Sequence, residues 1–209
     1  MKLKEFVKKY GEPFSKQLGI DLKSGKNEEI FKWFLASILY AKPIRESSAT
    51  KTYFCFMRHR LTNAKKVLDA GWEKLVEILD EGGYTRYDFS TADKLLEVFG
   101  NLQKNYGGDL NKLHQEARSS EDLEKKIKAL GKGIGSTTVS IFLREMRYAW
   151  EKADPKPSPL VKVAMEKLNI KDLKEIASKK NIDLVELETA LLRYSKDFLK
   201  KGRKLKIEL

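Results

Sequence analysis

The sequence predicts an all-α protein. Apolar residues recur at three- and four-residue spacings along most of the chain, no stretch shows the period-two alternation of a half-buried strand, and glycine or proline breaks cut the chain into helix-sized pieces. The most apolar piece carries Ile30, Phe31, Phe34, Leu35, Ile38 and Leu39 and predicts a helix over 28–41. Further helices are predicted over 48–58, 61–69, 72–80, 91–106, 109–117, 120–129, 136–150, 158–168, 171–180 and 183–200. Thr91, before Ala92-Asp93-Lys94-Leu95-Leu96, reads as an N-cap, and so does Ser119 before Ser120-Glu121-Asp122, with acids in the first turn. Gly82-Gly83, Gly107-Gly108 and Gly131-Lys132-Gly133-Ile134-Gly135 are the clearest turns. Three of the five prolines lie within 155–159, which predicts a stiff, extended connection there.

Composition narrows the function. The 209 residues hold 42 Lys plus Arg against 30 Asp plus Glu, a net charge of +12 that favours a polyanionic partner. Charged residues reach 34%, against roughly 25% in an average domain. With only three Gln and one Cys, this leans towards a heat-adapted protein (a thermophile) of the cytoplasm. Cys55 alone cannot form an intrachain disulfide or ligate a cysteine-based zinc or iron–sulfur site, and His59 and His114 lack metal-ligand spacing. The chain opens without an apolar signal region and contains no bilayer-spanning apolar run, so no membrane partner is expected.

One run carries the sharpest signal: Ile127-Lys128-Ala129-Leu130-Gly131-Lys132-Gly133-Ile134-Gly135-Ser136-Thr137-Thr138-Val139. A helix ends near Leu130, a glycine-rich turn follows, and a new helix starts at Ser136. Glycines allow positive φ and close backbone approach, while Ile134 can plug the gap between the two helices. The new helix offers the free N–H groups of its first turn, beside the hydroxyls of Ser136, Thr137 and Thr138 and the charge of Lys132. That combination suits one phosphate group, although the same pattern also serves as a plain interhelical turn.

This run resembles the helix-hairpin-helix of the DNA glycosylase superfamily that includes endonuclease III. The resemblance continues, more loosely, through Phe34-Leu35-Ala36-Ser37-Ile38-Leu39-Tyr40-Ala41-Lys42, Gly83-Tyr84-Thr85-Arg86 and Asn105-Tyr106-Gly107-Gly108, in the family's order over about 28–168. It implies a two-lobed helical fold with a cleft between the lobes. One lobe would span 28–152 and hold the motif at about 121–150; the other would combine 1–27 with 153–209. It further implies a monomeric enzyme that grips double-stranded DNA, flips a damaged nucleotide or abasic site into the cleft and cleaves the N-glycosidic bond. By the same resemblance Gly133, Gly135, Ser136, Thr137 and Thr138 clamp phosphate with Lys132 assisting, and Lys42 and Arg45 contact DNA after the early helix. The carbonyls of Ala129, Gly131 and Ile134 are where relatives hold a monovalent cation; the iron–sulfur cluster is absent with its cysteines, and no other cofactor is implied.

Two departures bear on the chemistry. The family's lysine nucleophile falls two residues after the last hairpin glycine, where this chain has Thr137, and a hydroxyl cannot form a Schiff base. That favours a monofunctional glycosylase, unless Lys132, Lys156 or Lys162 substitutes as an AP lyase nucleophile. The family's catalytic aspartate aligns with Ser158 or a neighbouring proline, which leaves Asp154 as the catalytic candidate; Asp154-Pro155 is equally a plain turn pairing. Lacking both groups, the protein would be a non-catalytic binder of damaged DNA or a general nucleic-acid module. Tyr40, Tyr53, Phe54, Phe56 and Trp150 are candidates for a base pocket or for core, and Phe31, Trp33 and Phe34 cannot all face one side of their helix. Arg45, Lys51, Arg58, Arg60, Lys65 and Lys66 extend a basic surface, and Lys200-Lys201-Gly202-Arg203-Lys204-Leu205-Lys206 forms a basic tail. His59 and His114 read as surface or capping residues, and Cys55 as a buried small hydrophobe.

Overall fold

The helices form where apolar residues can hide one face, or in one case every face, from water. The computed structural model describes residues 1–203 and 205–209. In chain order its helices are α1 (Leu3–Tyr10), α2 (Phe14–Gln17), α3 (Asn27–Tyr40), α4 (Glu46–Arg58), α5 (Ala64–Gly82), α6 (Asp88–Tyr106), α7 (Leu110–Glu116), α8 (Ser120–Lys128), α9 (Ser136–Met146), α10 (Pro159–Lys167), α11 (Leu173–Lys180) and α12 (Leu184–Arg193). Among the described residues there is no strand, only an isolated bridge between Lys2 and Glu208, so the fold is all-α as expected. No described helix is long and apolar enough to cross a membrane. Lys204 of the basic tail lies outside the described residues.

Several boundaries differ from the sequence reading. The expected cap Thr91 lies inside α6, which starts at Asp88; Thr91 is fully buried and its hydroxyl has no hydrogen-bond partner among the described residues. Ser119 does cap α8, accepting the Asp122 N–H at 3.2 Å. The two helices expected over 61–80 are one element, α5, broken at Gly71 by φ 75° and ψ 171°. The helix expected to reach residue 200 ends at Arg193 and passes into a single π turn, Tyr194–Phe198. α1 was not foreseen, although its buried Leu3, Phe6 and Val7 have helical spacing.

Contacts divide the chain into two units, Met1–Gly19 with Lys156–Leu209, and Ile20–Pro155. Residues 20–27 join the larger unit through side-chain ties. Asn27 donates to the Gly108 carbonyl at 3.1 Å and accepts the Leu110 N–H at 3.0 Å, while Asn111 donates to the Gly25 carbonyl at 3.0 Å. At the other boundary, Arg147 donates to the Pro155 carbonyl at 2.9 Å. The smaller unit buries Leu3, Phe6 and Val7 of α1 with Leu187, Leu191 and Tyr194 and with Val161 and Ala164 of α10. Ser158 caps α10 and Pro159 occupies its first turn, both suited to a helix start.

The larger unit is built around α3. Ile30, Phe31, Trp33, Phe34, Leu35, Ala36, Ile38 and Leu39 are all fully buried, so Phe31, Trp33 and Phe34 all lie in the core and none looks outward. A helix surrounded on every side can be apolar all round. Phe31 meets Phe99 of α6 at 4.7 Å between ring centroids, Phe34 meets Phe142 of α9 at 4.9 Å, and Trp33 Nε1 donates to the Phe142 carbonyl at 3.0 Å.

His114 and Trp150 also belong to this interior. Their rings stack 4.8 Å apart with planes 2° from parallel, Trp150 is buried, and its Nε1 donates to Asn111 Oδ1 at 2.8 Å. Of the two readings open for Trp150, base pocket or core, its burial supports core, and His114 is a part-buried stacking residue rather than a surface or capping one. Burial first, and the Lys152 charge second, hold the His114 imidazole below its ordinary pKa of 6.5. The unfolded chain thus takes up a proton more readily than the folded one, and stability is lost as pH falls from about 6.5 through the lowered folded value. His114→Phe, which keeps the stack, should flatten the change in urea midpoint between pH 7 and pH 5; an unchanged slope would place the acid sensitivity elsewhere.

Candidate nucleic-acid interface

α8 and α9 are joined by a turn whose backbone is held from one side by α6. Asn101 Nδ2 donates to the Leu130 carbonyl at 2.8 Å, Glu97 Oε1 accepts the Lys132 N–H at 2.9 Å, and Lys94 Nζ donates to the Gly133 carbonyl at 3.0 Å. Val98 lies beneath Gly131, where an added Cβ would stand 2.6 Å from Val98 Cγ2. Residues 94, 97, 98 and 101 share one face of a helix, so α6 contacts four successive residues of the turn with one stripe of side chains. The turn closes on itself through the Ile134 N–H to the Gly131 carbonyl at 3.2 Å, Gly133 takes the left-handed φ of 87°, and Ile134 is buried as a plug.

α9 starts at this turn with Gly135 as its N-cap, in extended geometry (φ −93°, ψ −179°) and without a side-chain cap. The first-turn N–H groups of a helix have no partner within it. Ser136 and Thr137 are exposed beside them, as are Lys132, Gly133 and Gly135. Thr138 is 2% exposed, so its hydroxyl does not belong to the exposed rim expected for it. A Cβ at Gly135 would meet nothing within 4 Å, and its φ suits any residue. The fold does not demand glycine there. Its effect is to leave the helix start uncapped and open to a close-approaching group.

A second basic element stands near. Lys42 Nζ lies over the Tyr87 ring at 5.2 Å and Arg86 over the same ring at 5.8 Å. The Tyr84 hydroxyl donates to the Leu39 carbonyl and ties this segment to the end of α3. Burial first, then the Lys42 charge, lower the pKa of Lys94, which joins Lys42 electrostatically to the turn. Arg45 stands exposed as the N-cap of α4. Ala129, Gly131 and Ile134 were the expected carbonyl ligands of a monovalent cation. Of these carbonyls, that of Gly131 accepts the Ile134 N–H within the turn.

Asp154 follows the C-terminal end of α9, whereas the turn precedes its start. It sits after α9 with its Oδ1 3.8 Å from Arg147 Nη2, its side chain 42% exposed and that of Arg147 13% exposed. Lys156 and Lys162 are exposed residues of the smaller unit. Among the other basic residues, Arg58 and His59 both engage Glu81, and Lys65 pairs with Asp69 at 2.6 Å. Tyr53 and Phe56 are buried, Tyr40 bonds Thr50 at 2.6 Å with its phenol pKa raised by burial, and Cys55 is buried. Phe54 is exposed, at 44%. The exposed aromatic pair that the sequence reading missed is Trp72 and Phe89, 5.2 Å apart, with Trp72 Nε1 donating to Asp93.

No family model, no curated protein and no solved structure matches this chain.

Gly131→Ala forces its methyl against Val98 and should destabilise the larger unit by about 1–3 kcal/mol. Gly135→Ala, with open space around it, should change stability by under about 1 kcal/mol. Chemical denaturation of both variants checks this; equal losses would mean that α6 does not grip the turn as described.

Proposed function

We propose that this protein is a DNA repair enzyme of the helix-hairpin-helix glycosylase type: two-lobed, with a cleft between its lobes, binding double-stranded DNA as a monomer and cleaving the N-glycosidic bond of a flipped, damaged nucleotide. The observation that carries the reading is the uncapped start of α9, where Gly135 leaves free amides that no internal contact requires to be free. A DNA phosphate satisfies those N–H groups and meets the positive end of the helix dipole. Lys132, Lys42 and Arg45 add charge around it, and the net charge of +12 favours a polyanion at long range.

Thr137 stands exposed where a bifunctional relative has lysine, so water rather than an amine at this position attacks the sugar. Asp154 is the carboxylate assigned to that chemistry. Its charge stabilises the cationic sugar as the bond to the base breaks, and it accepts a proton from the attacking water. Arg147, which holds the Pro155 carbonyl and lies beside Asp154, fixes the loop that carries it.

Duplexes carrying uracil, 8-oxoguanine, hypoxanthine, an alkylated purine or an abasic site test the reading directly. A base-containing lesion should yield strand breaks after alkali treatment, and Asp154→Asn should lower base release by about a hundredfold or more while duplex affinity stays near wild type. Full activity in Asp154→Asn would remove that residue from the mechanism. Selective binding without base release would make the protein a non-catalytic binder of damaged DNA.

A further inference from the structure

We propose that Trp72 and Phe89 form a docking surface for a cationic segment of another protein, with an arginine of that segment lying on the exposed indole and pairing with Asp93. These residues lie outside the α8–α9 turn, and their role is independent of the DNA reading.

Both rings are held out in water. Trp72 is 39% and Phe89 58% exposed, with their centroids 5.2 Å apart, whereas Trp33 and Trp150 are buried. Two large aromatic side chains left adjacent in solvent mark an interaction site, and tryptophan is among the residues that contribute most when such a site is covered. The indole is also fixed. α5 breaks at Gly71, where φ is 75°, and continues from Trp72, whose Nε1 donates to Asp93 Oδ1 at 2.8 Å. Phe89 lies one helical turn before Asp93, so one stripe of α6 carries the second ring and the carboxylate. A ring already held in place loses little freedom when a partner covers it.

The local charge selects the partner. Glu73 follows Trp72 in the chain and Asp88 precedes Phe89. Glu73 and Asp93 are exposed, and neither they nor Asp88 pair with a basic side chain among the described residues. The neighbouring basic residues are engaged elsewhere: Lys74 pairs with Glu77 at 2.8 Å, Lys94 donates to the Gly133 carbonyl, and Arg86 lies over Tyr87. Carboxylates beside these rings repel a phosphate backbone and attract a cation, which the ring faces attract as well. Arginine fits best, because its planar guanidinium stacks on an indole while its N–H groups reach a carboxylate. A second copy of this chain would bring its own net charge of +12 against the same sign. A short segment needs only the few charges that meet Glu73, Asp88 and Asp93, since charges beyond about 8 Å are screened at physiological ionic strength.

The test titrates the full chain, isotope-labelled at its indoles, with the peptide acetyl-Gly-Arg-Gly-Arg-Gly-amide and follows the indole N–H resonances by NMR. The Trp72 resonance should shift saturably at or below about 1 mM peptide, the weak end of specific binding, while those of Trp33 and Trp150 stay in place. The same peptide with citrulline for arginine keeps the shape without the charge, and should bind about tenfold more weakly or worse. Asp93→Asn keeps an acceptor for the Trp72 indole and removes the charge; it and Phe89→Ala should each weaken the arginine peptide by about fivefold. Unchanged Trp33 and Trp150 resonances report in the same spectra that each variant is folded. No shift of Trp72, equal affinity for the citrulline peptide, or undiminished affinity in both variants overturns the proposal. An oligo-dT strand that shifts Trp72 at lower concentration than the peptide overturns it in favour of a nucleic-acid surface. A Trp72 resonance that moves with protein concentration alone overturns it in favour of self-association.

Discussion

The grip of α6 on the α8–α9 turn is the interaction on which the rest of the candidate interface depends. A glycine-rich turn carries many peptide groups and few side chains, and left alone it would sample many conformations. Here Asn101, Glu97 and Lys94 each bond a different peptide group, and Val98 fills the space that a side chain on Gly131 would need. The next residue of α6, Phe99, packs against Phe31 and Phe34 of α3. The same helix thus anchors the turn and sits in the core of the larger unit. Rigid support of this kind lets a few exposed amides act as a binding surface without a large ordering cost on binding.

Electrostatics extend that surface. Lys42 and Arg86 both lie over the Tyr87 ring, 5.2 Å and 5.8 Å from its centroid, which gathers two cations at one aromatic side chain. Burial first, then the charge of Lys42, disfavours the charged form of Lys94. A phosphate placed beside these groups would relieve the repulsion, and this turns an unfavourable feature of the free protein into a favourable one of the complex. The smaller unit holds none of these groups; its residues build a separate apolar core around Phe6, Leu187 and Tyr194.

Much of the fold was legible in the sequence because helical periodicity and local punctuation are local signals. Ile30 to Leu39 announced the central helix, and Ser119 announced the start of α8. The Gly-x-Gly-Ile-Gly run announced the turn and the buried plug at Ile134. What the sequence did not disclose depends on pairs far apart in the chain. Nothing near Lys94 says that its ammonium reaches Gly133, and nothing near His114 says that its ring lies on Trp150. Thr138 read as part of the phosphate rim because its type suits that role; its burial follows from which way α9 is turned, and composition does not encode that. Thr91 misled for a related reason. A threonine before an apolar run looks like a cap, yet α6 begins a turn earlier and encloses it.

Duplex affinity and thermal melting of Gly135→Asp test the central claim, that the open start of α9 receives a DNA phosphate, most directly. An aspartate at this N-cap can bond the first-turn amides itself and complement the helix dipole, which should hold or raise stability by about 1 kcal/mol. The same carboxylate occupies and repels the phosphate position, so affinity should fall by about tenfold or more. Reduced affinity with undiminished stability is the predicted result. Affinity equal to wild type would contradict the account, because DNA would then be bound without the start of α9.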